Sequence, residues 1–192
     1  HSDLTTFALY ESESVELPSG ASLSLVEVDE ENGPKANLCL NCHQGRSYGG
    51  TVDARIGDLG DDELGESLGF INVHYFPAGG SLFGSEAEVG YQYEGKEYAG
   101  RFEHVSGFDT CVECHDAHAL EVVAEDCGNC HDGVATVEDL ATIRVSETDF
   151  DGDGDVTEGI AGEVATMSEA LILAMAAYAD GIEGVNPIVY NS

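Results

Sequence analysis

Residues 111–131 read CVECHDAHALEVVAEDCGNCH and hold two copies of one pattern, in which a Cys-x-x-Cys pair is followed at once by His. A third copy, CLNCH, occupies residues 39–43. Residues 39–43, 111–115 and 127–131 are called the first, second and third motifs. All cysteines of the chain belong to these pairs: Cys39, Cys42, Cys111, Cys114, Cys127 and Cys130. Because every pair has the same adjacent His, that His is part of the pattern.

This pattern is typical of covalently attached haem. The two thiols of a pair add to the two vinyl groups of one macrocycle, and the short spacing leaves the following His placed to bind the iron. The motifs therefore predict three haem c groups, with three proximal ligands: His43, His115 and His131. A structural zinc site would use two pairs and leave the third pair without a role. A thioredoxin-like pair would occur singly near a βαβ pattern, which the sequence lacks, and cysteines three apart make poor disulfide staples.

Four further histidines are candidates for the distal side of the irons: His1, His74, His104 and His118. We expect the last three to complete three bis-His irons. If His118 shares a helical turn with His115, both rings leave the same side of the backbone, so His118 serves a different haem. His1 is either a frayed terminus or a ligand to a haem of a neighbouring subunit. Met167 and Met175 lie on one apolar face of a predicted helix and are interpreted as core.

A second candidate site lies in the acidic stretch 149–160, which reads DFDGDGDVTEGI. It has Asp at loop positions one, three and five, Gly at six and an apolar residue at eight, as in an EF-hand-type calcium loop. Position twelve is Ile160 instead of Glu, so a nearby Glu is the expected substitute. The predicted calcium ligands are Asp149, Asp151, Asp153, Asp155, Glu158 and Glu163. The competing interpretation is an exposed Asp-Gly turn without an ion.

Charge restricts the partners of this chain. It has 38 Asp and Glu against 6 Lys and Arg in 192 residues, a formal net charge of -32. Such a surface repels nucleic acid and anionic membranes, so the predicted partners are other redox proteins or further copies of the chain. A start at His1 without Met or an apolar leader predicts export. The longest apolar run, 170–179, is too short to span a bilayer, so we expect a soluble protein, extracellular or at the cell surface, or alternatively periplasmic.

The predicted fold is mixed, with little regular secondary structure. Residues 1–34 are expected to form an N-terminal β-hairpin segment, with strands over 5–11 and 21–28 and a turn at Pro18–Gly20. Residues 35–135 are predicted to be a trihaem core, with a surface loop over 47–69. Residues 136–192 are predicted to be a helical segment in which a short helix at 137–144 and a longer one at 160–178 flank the acidic loop.

The second motif and His118, followed closely by the third motif, resemble the paired motif of bacterial and archaeal multihaem cytochromes, in which the extra His ligates another haem of the stack. Residues 72–131 and the acidic loop resemble exported polyhaem cytochromes of metal-respiring and related microbes, some of which polymerise into extracellular filaments. The first motif departs from the pair pattern, because Gln44–Arg46 follows it where a His would stand at the third position. The resemblance implies a haem-cored protein.

Bis-His irons leave no coordination position open for a substrate. We therefore expect outer-sphere electron transfer at low potential and no enzyme activity. The first interpretation is an extracellular conduit or filament subunit, and the second is a soluble periplasmic electron carrier. A multihaem oxyanion reductase is the third, and it requires an iron that is five-coordinate or Lys-ligated, for which Lys35 is the nearest candidate.

Overall fold

The computed structural model describes residues 2–66, 68–74 and 76–182. Its secondary structure is mixed and sparse, in agreement with that part of the sequence prediction. The helices are α1 (Gly33–His43), α2 (Gly49–Ile56), α3 (Ala78–Phe83), α4 (Cys111–Cys114), α5 (Ala124–Cys127) and α6 (Ile160–Asp180). The strands are β1 (Val15–Glu16), β2 (Ser22–Leu23), β3 (His115–Asp116) and β4 (Glu121–Val122), and two 3-10 turns lie at Gly84–Glu86 and Glu138–Thr142.

The chain folds as two compact units, His1–Glu121 and Val122–Ser192. The first unit contains the first and second motifs, and the second unit contains the third motif and the acidic loop. The three-segment organisation expected from the sequence stays a prediction.

A short antiparallel hairpin opens the first unit, with Val15 of β1 opposite Leu23 of β2. Its turn is the predicted Pro18–Gly20 turn. Gly20 has φ +89° and donates its N–H to the carbonyl of Leu17 at 2.9 Å. Glycine is suited to this position because it adopts a positive φ without steric cost.

The strand predicted over residues 5–11 is wrong, because the hairpin uses β1 and β2 instead. The Asp3 carboxylate accepts the N–H groups of Thr5 at 2.8 Å and Thr6 at 2.7 Å. These bonds curl the segment into a turn, which is a common use of an Asp side chain. The surface loop predicted over 47–69 is also corrected, since α2 occupies part of it.

The apolar core of the first unit surrounds α1, the helix that ends in the first motif. Its buried members are Val15, Leu17, Leu25, Ala36, Leu40, Phe83 and Ala87. Asn37 of α1 is also fully buried. Its Oδ1 accepts the Leu25 N–H at 2.9 Å, and its Nδ2 donates to the carbonyls of Ser12 at 2.8 Å and Glu13 at 3.0 Å. This side chain therefore fastens the N-terminal segment to the helix of the first motif.

In the second unit the predicted C-terminal helix is present as α6, and the short predicted helix is the 3-10 turn Glu138–Thr142. The apolar face of α6 does not form a core as expected. Met167 and Met175 are 40% and 49% exposed, and Leu171 is 61% exposed. The interpretation of both methionines as core residues is wrong for the described part of this unit, because few other elements are available to cover the helix.

By length and composition alone, α6 is long and apolar enough to cross a membrane. The uninterrupted apolar run 170–179 is only part of this helix, which spans Ile160–Asp180. A mostly buried core helix of a soluble protein passes the same test, but only 6% of the apolar window of α6 is buried. The first turn of α6 contains the buried Glu163.

Candidate haem sites

The cysteines of each motif lie on a short helix or a hydrogen-bonded turn, but the three motifs differ in the backbone of the His. The first motif is the C-terminal end of α1. In the second motif, the His115 N–H donates to the Cys111 carbonyl at the end of α4. In the third, α5 ends at Cys127, whose carbonyl accepts the N–H groups of Cys130 at 3.1 Å and His131 at 2.8 Å. Residues three and four apart share a face of a helix, so in the first motif, which lies wholly in α1, both sulfurs and the His can face one macrocycle.

The turn of the second motif is held by its own sequence. Glu113 is one of the two residues between the cysteines, and its Oε2 accepts the N–H groups of Asp109 at 2.9 Å and Thr110 at 2.7 Å. These are N–H groups at the start of α4, which has no preceding turn to bond them. Glu113 therefore fixes the start of a four-residue helix that would be too short to form alone.

His43 has the hydrogen bond expected of an iron ligand. Its Nδ1 lies 2.9 Å from the carbonyl oxygen of Phe76. A carbonyl can only accept, so Nδ1 is the protonated nitrogen and Nε2 keeps its lone pair. Such a bond fixes the tautomer and the orientation of a metal-ligating His. His43 thus meets the requirement for a proximal ligand without any rearrangement.

The first and second motifs meet in the fold. The Cys111 thiol hydrogen-bonds the sulfur of Cys39, although the two cysteines are 72 positions apart in the sequence, and α1 packs against α4. This bond, with a smaller contribution from His43, lowers the pKa of Cys39 to about 6. The same bond raises the pKa of Cys111. Two of the three predicted attachment points therefore adjoin.

The candidate distal histidines lie on irregular backbone. His74 has φ +70° and donates its N–H to Asn72 Oδ1 at 2.8 Å. His104 is exposed and lies outside the helices and strands. Iron ligation by His74, His104 and His118 stays a prediction, and His1 lies outside the described residues.

His115 and His118 do not share a helical turn. His115 is extended, with φ -113° and ψ 130°, and belongs to β3, which pairs with β4. The Asp116 carboxylate accepts the N–H groups of His118 at 2.7 Å and Ala119 at 2.8 Å. The backbone that connects the second motif to His118 is therefore this turn and not a helix.

The carboxylates of the acidic loop and the first turn of α6 lie close together in two groups, and Asp151 belongs to both. In the first group, one oxygen from each of Asp149, Asp151 and Asp153 lies within 4.8 Å of the others. The second joins Asp151 to Glu158 and Glu163 over the same span. Neither group contains Asp155. Like charges this close disfavour one another, so the arrangement calls for a compensating cation.

Part of that compensation comes from Arg144, which sequence reasoning missed. Arg144 Nη1 lies 2.7 Å from Oε1 of Glu163, and both side chains are buried. Glu163 Oε2 accepts the N–H groups of Phe150 and Asp151, each at 2.8 Å. Burial acts to raise the pKa of Glu163, but the bonds from Arg144, Asp151 and Phe150 outweigh it and hold that pKa below its usual value. The available signal was an Arg beside an otherwise acidic loop.

The remaining carboxylates of the loop are under-compensated. Asp151 Oδ2 and Glu158 Oε1 are buried without a hydrogen-bond partner among the described residues. Burial, followed by the charges of Asp151 and Asp153, raises the pKa of Glu158. Oxygen ligands of this kind are the ones that Ca²⁺ prefers. The donor set therefore fits a calcium ion.

Comparison with known proteins gives the relationship of the chain. It is 31% identical over 143 residues to the C-type polyheme cytochrome OmcB of Geobacter sulfurreducens, an alignment covering 60% of this chain and 18% of that protein. The chain is similar to polyhaem c-type cytochromes. To the C-type polyheme cytochrome OmcC of the same species it is 44% identical over 64 residues, which cover 33% of this chain and 7% of that protein. It thus spans less than a fifth of the length of these relatives.

No family model matches the chain, and no solved structure matches it. The similarity to polyhaem cytochromes supports a multihaem cytochrome, and the residues present fit that group. Each motif offers two sulfurs and an imidazole within five consecutive residues, and His43 offers Nε2 in the tautomer that binds a metal.

Proposed function

We propose that this protein transfers electrons through three covalently bound haem c groups, one on each motif. The observation that carries the proposal is the contact between Cys39 and Cys111. Each of these cysteines attaches a different macrocycle, so their contact brings two attachment points together. Covalently bound haem supplies the one-electron chemistry. The protein holds each group through two cysteines, and the proximal His fixes one axial position.

Electron transfer from one haem to the next requires that the haems lie close together. In this chain, the fold brings the attachment points of the first and second motifs together. α1 is buried against the core by Leu40 and Asn37, and Cys111 packs against the same core. The distance between the first two attachment points is therefore set by packed helices and not by a loop. A rigid placement suits repeated electron transfer, because the distance between the haems of the first and second motifs stays the same from one transfer to the next.

Paramagnetic resonance of the fully oxidised protein tests this placement. We expect magnetic coupling between the haems of the first and second motifs. When Cys111→Ala and Cys114→Ala remove the second haem, the signal of the first haem should become that of an isolated low-spin centre. An unchanged signal would refute the relay between these two sites. A high-spin signal in the intact protein would instead favour the reductase interpretation.

We further propose that the protein works outside the cytoplasm, as an extracellular conduit or filament subunit. The covalent haem motifs, the acidic composition and the exposed apolar face of α6 support this assignment. A soluble periplasmic carrier, which would dock basic partners through its acidic surface, is the alternative. Electron micrographs of the native preparation distinguish them, because filaments support the conduit, whereas uniform single particles of one chain's mass support the carrier.

For the acidic loop we propose a structural calcium ion. The buried, unpartnered oxygens of Asp151 and Glu158 support it, and the ion would hold the loop against the first turn of α6. Calcium should raise the melting temperature, and a strong chelator should lower it again. Asp151→Asn should abolish most of this response, whereas Asp132→Asn, which removes an acidic charge outside the loop, should preserve it. If chelation changes neither melting nor bound metal, the proposal fails.

A further inference from the structure

The first unit contains a cavity whose lining includes no residue of the three motifs. Its volume is about 510 Å³, within the range of ~300–1,000 Å³ that is usual for ligand and cofactor sites. Its wall includes α3, the turn that follows α3, and residues 89–92 and 98–99. All of its lining side chains are uncharged, although the chain has a formal net charge of -32. This lining does not suit a metal ion or a charged metabolite, but it suits an apolar group.

We propose that this cavity seats the haem attached through Cys39 and Cys42. The inference rests on the proposed function, because it requires a haem on the first motif. It goes further by assigning the protein surface that covers that macrocycle.

The backbone that leaves the first motif runs directly along the cavity. The Arg46 N–H donates to the carbonyl of Val73 at 3.0 Å, and Val73 lines the cavity. A Cβ placed on the buried Gly45 would lie 3.3 Å from both methyl carbons of Val89, another lining residue. The cavity therefore begins within a few residues of His43.

The proximal His is joined to the same wall. His43 Nδ1 bonds the carbonyl of Phe76 at 2.9 Å, and the next residue, Pro77, lines the cavity. Leu40, one turn before the end of α1, meets the backbone of Gly79 in α3. α1 and α3 are thus packed together, and α3 is also part of the cavity wall.

The composition of the wall matches a flat apolar group. α3 contributes Gly80 and Ser81 to the lining, and a Cβ on the buried Gly80 would lie 2.8 Å from the Val89 side chain, so Val89 packs directly on this glycine. Two aromatic residues of the lining, Tyr91 and Tyr98, are 37% and 41% exposed. Partly exposed aromatic rings are surfaces that a planar macrocycle can cover.

Ser81→Trp tests the assignment, because Ser81 lines the cavity and is exposed, so that its side chain can be enlarged without disturbing the apolar core. We expect the bulky ring to displace the first haem. If the ring prevents attachment of this haem, the pyridine haemochrome absorbance should fall by about one third, since one of three motifs is affected. If the haem is attached but displaced, the reduction potential of one haem should shift. Ser14→Trp, an exposed position in the same unit outside the cavity, should leave both unchanged. Unchanged loading and unchanged potentials in Ser81→Trp would overturn the inference.

A measurement on the unaltered protein avoids dependence on the folding of that variant. In nuclear Overhauser spectra of the reduced protein, ring protons of Tyr98 should give cross-peaks to the haem whose thioether protons contact Cys39 and Cys42. These cross-peaks should vanish in Tyr98→Ala. If the Tyr98 cross-peaks belong to the haem of the second motif, or to none, the assignment is wrong. If no haem mass is found on the peptide containing Cys39 and Cys42, it is the proposed function that fails.

Discussion

Replacing Asn37 by Leu should destabilise the first unit more than any change at an exposed position of α1. Asn37 is fully buried and bonds three backbone groups, the Leu25 N–H and the carbonyls of Ser12 and Glu13. Leucine has a similar volume but leaves these groups without partners, at a cost of about 1 kcal/mol each. The free energy of unfolding should therefore fall by about 3 kcal/mol. For a protein of this size that lowers the melting temperature by about 10 °C.

Calorimetry of the haem-loaded protein, with guanidinium unfolding followed by circular dichroism, measures this change. The matched control is Asn41→Leu, four residues further along α1, where an exposed side chain makes a single bond to the Asn37 carbonyl at 3.0 Å. It should change the free energy of unfolding by no more than about 0.5 kcal/mol. If Asn37→Leu costs less than about 1 kcal/mol, the claim that this side chain fastens the N-terminal segment to α1 is refuted.

Three further predictions concern the acidic loop, the start of α1 and the irons. In Arg144→Gln, the loop amides that Glu163 bonds should exchange their hydrogens at least about tenfold faster than in wild type. Arg101→Gln, which breaks an exposed ion pair, should leave these exchange rates unchanged. Equal rates in Arg144→Gln and wild type would contradict the role of Arg144. The N–H groups of Asn32 and Glu31 lower the pKa of Asp29, so the contribution of Asp29 to stability is present above its unfolded pKa and is lost as pH falls through its folded pKa. The difference in melting temperature between wild type and Asp29→Asn should therefore disappear in acid. A difference that does not depend on pH would refute this. His74→Met should raise the potential of one of the three haems, because Met ligation favours the reduced iron, and a potentiometric titration without any upward shift would show that His74 is not a ligand.

Local patterns in the sequence predict the motifs well. A Cys-x-x-Cys-His turn is defined by residues within four positions, so the chemistry and the backbone geometry follow from the same short stretch. The C-terminal helix was predicted for a similar reason, since its apolar periodicity and Gly181 mark its extent. By contrast, the strand expected over 5–11 failed because one side chain, Asp3, competes for the backbone N–H groups there.

Long-range contacts could not be predicted in this way. Nothing near Cys39 in the sequence indicates that it meets Cys111, and nothing near Arg144 identifies Glu163 as its partner. The exposure of Met167 and Met175 is also non-local, because an apolar face predicts burial only when another element covers it. The candidate distal histidines belong to the same class, since ligation depends on which segments the fold brings to each iron.

The most direct test of the central claim is the intact mass of the denatured protein, produced in a host that attaches haem c. We expect the mass of the chain plus three haems, and the loss of one haem in each variant that replaces both cysteines of one motif. Fewer than three covalent haems in the unaltered protein, or zinc bound in place of haem, would contradict it.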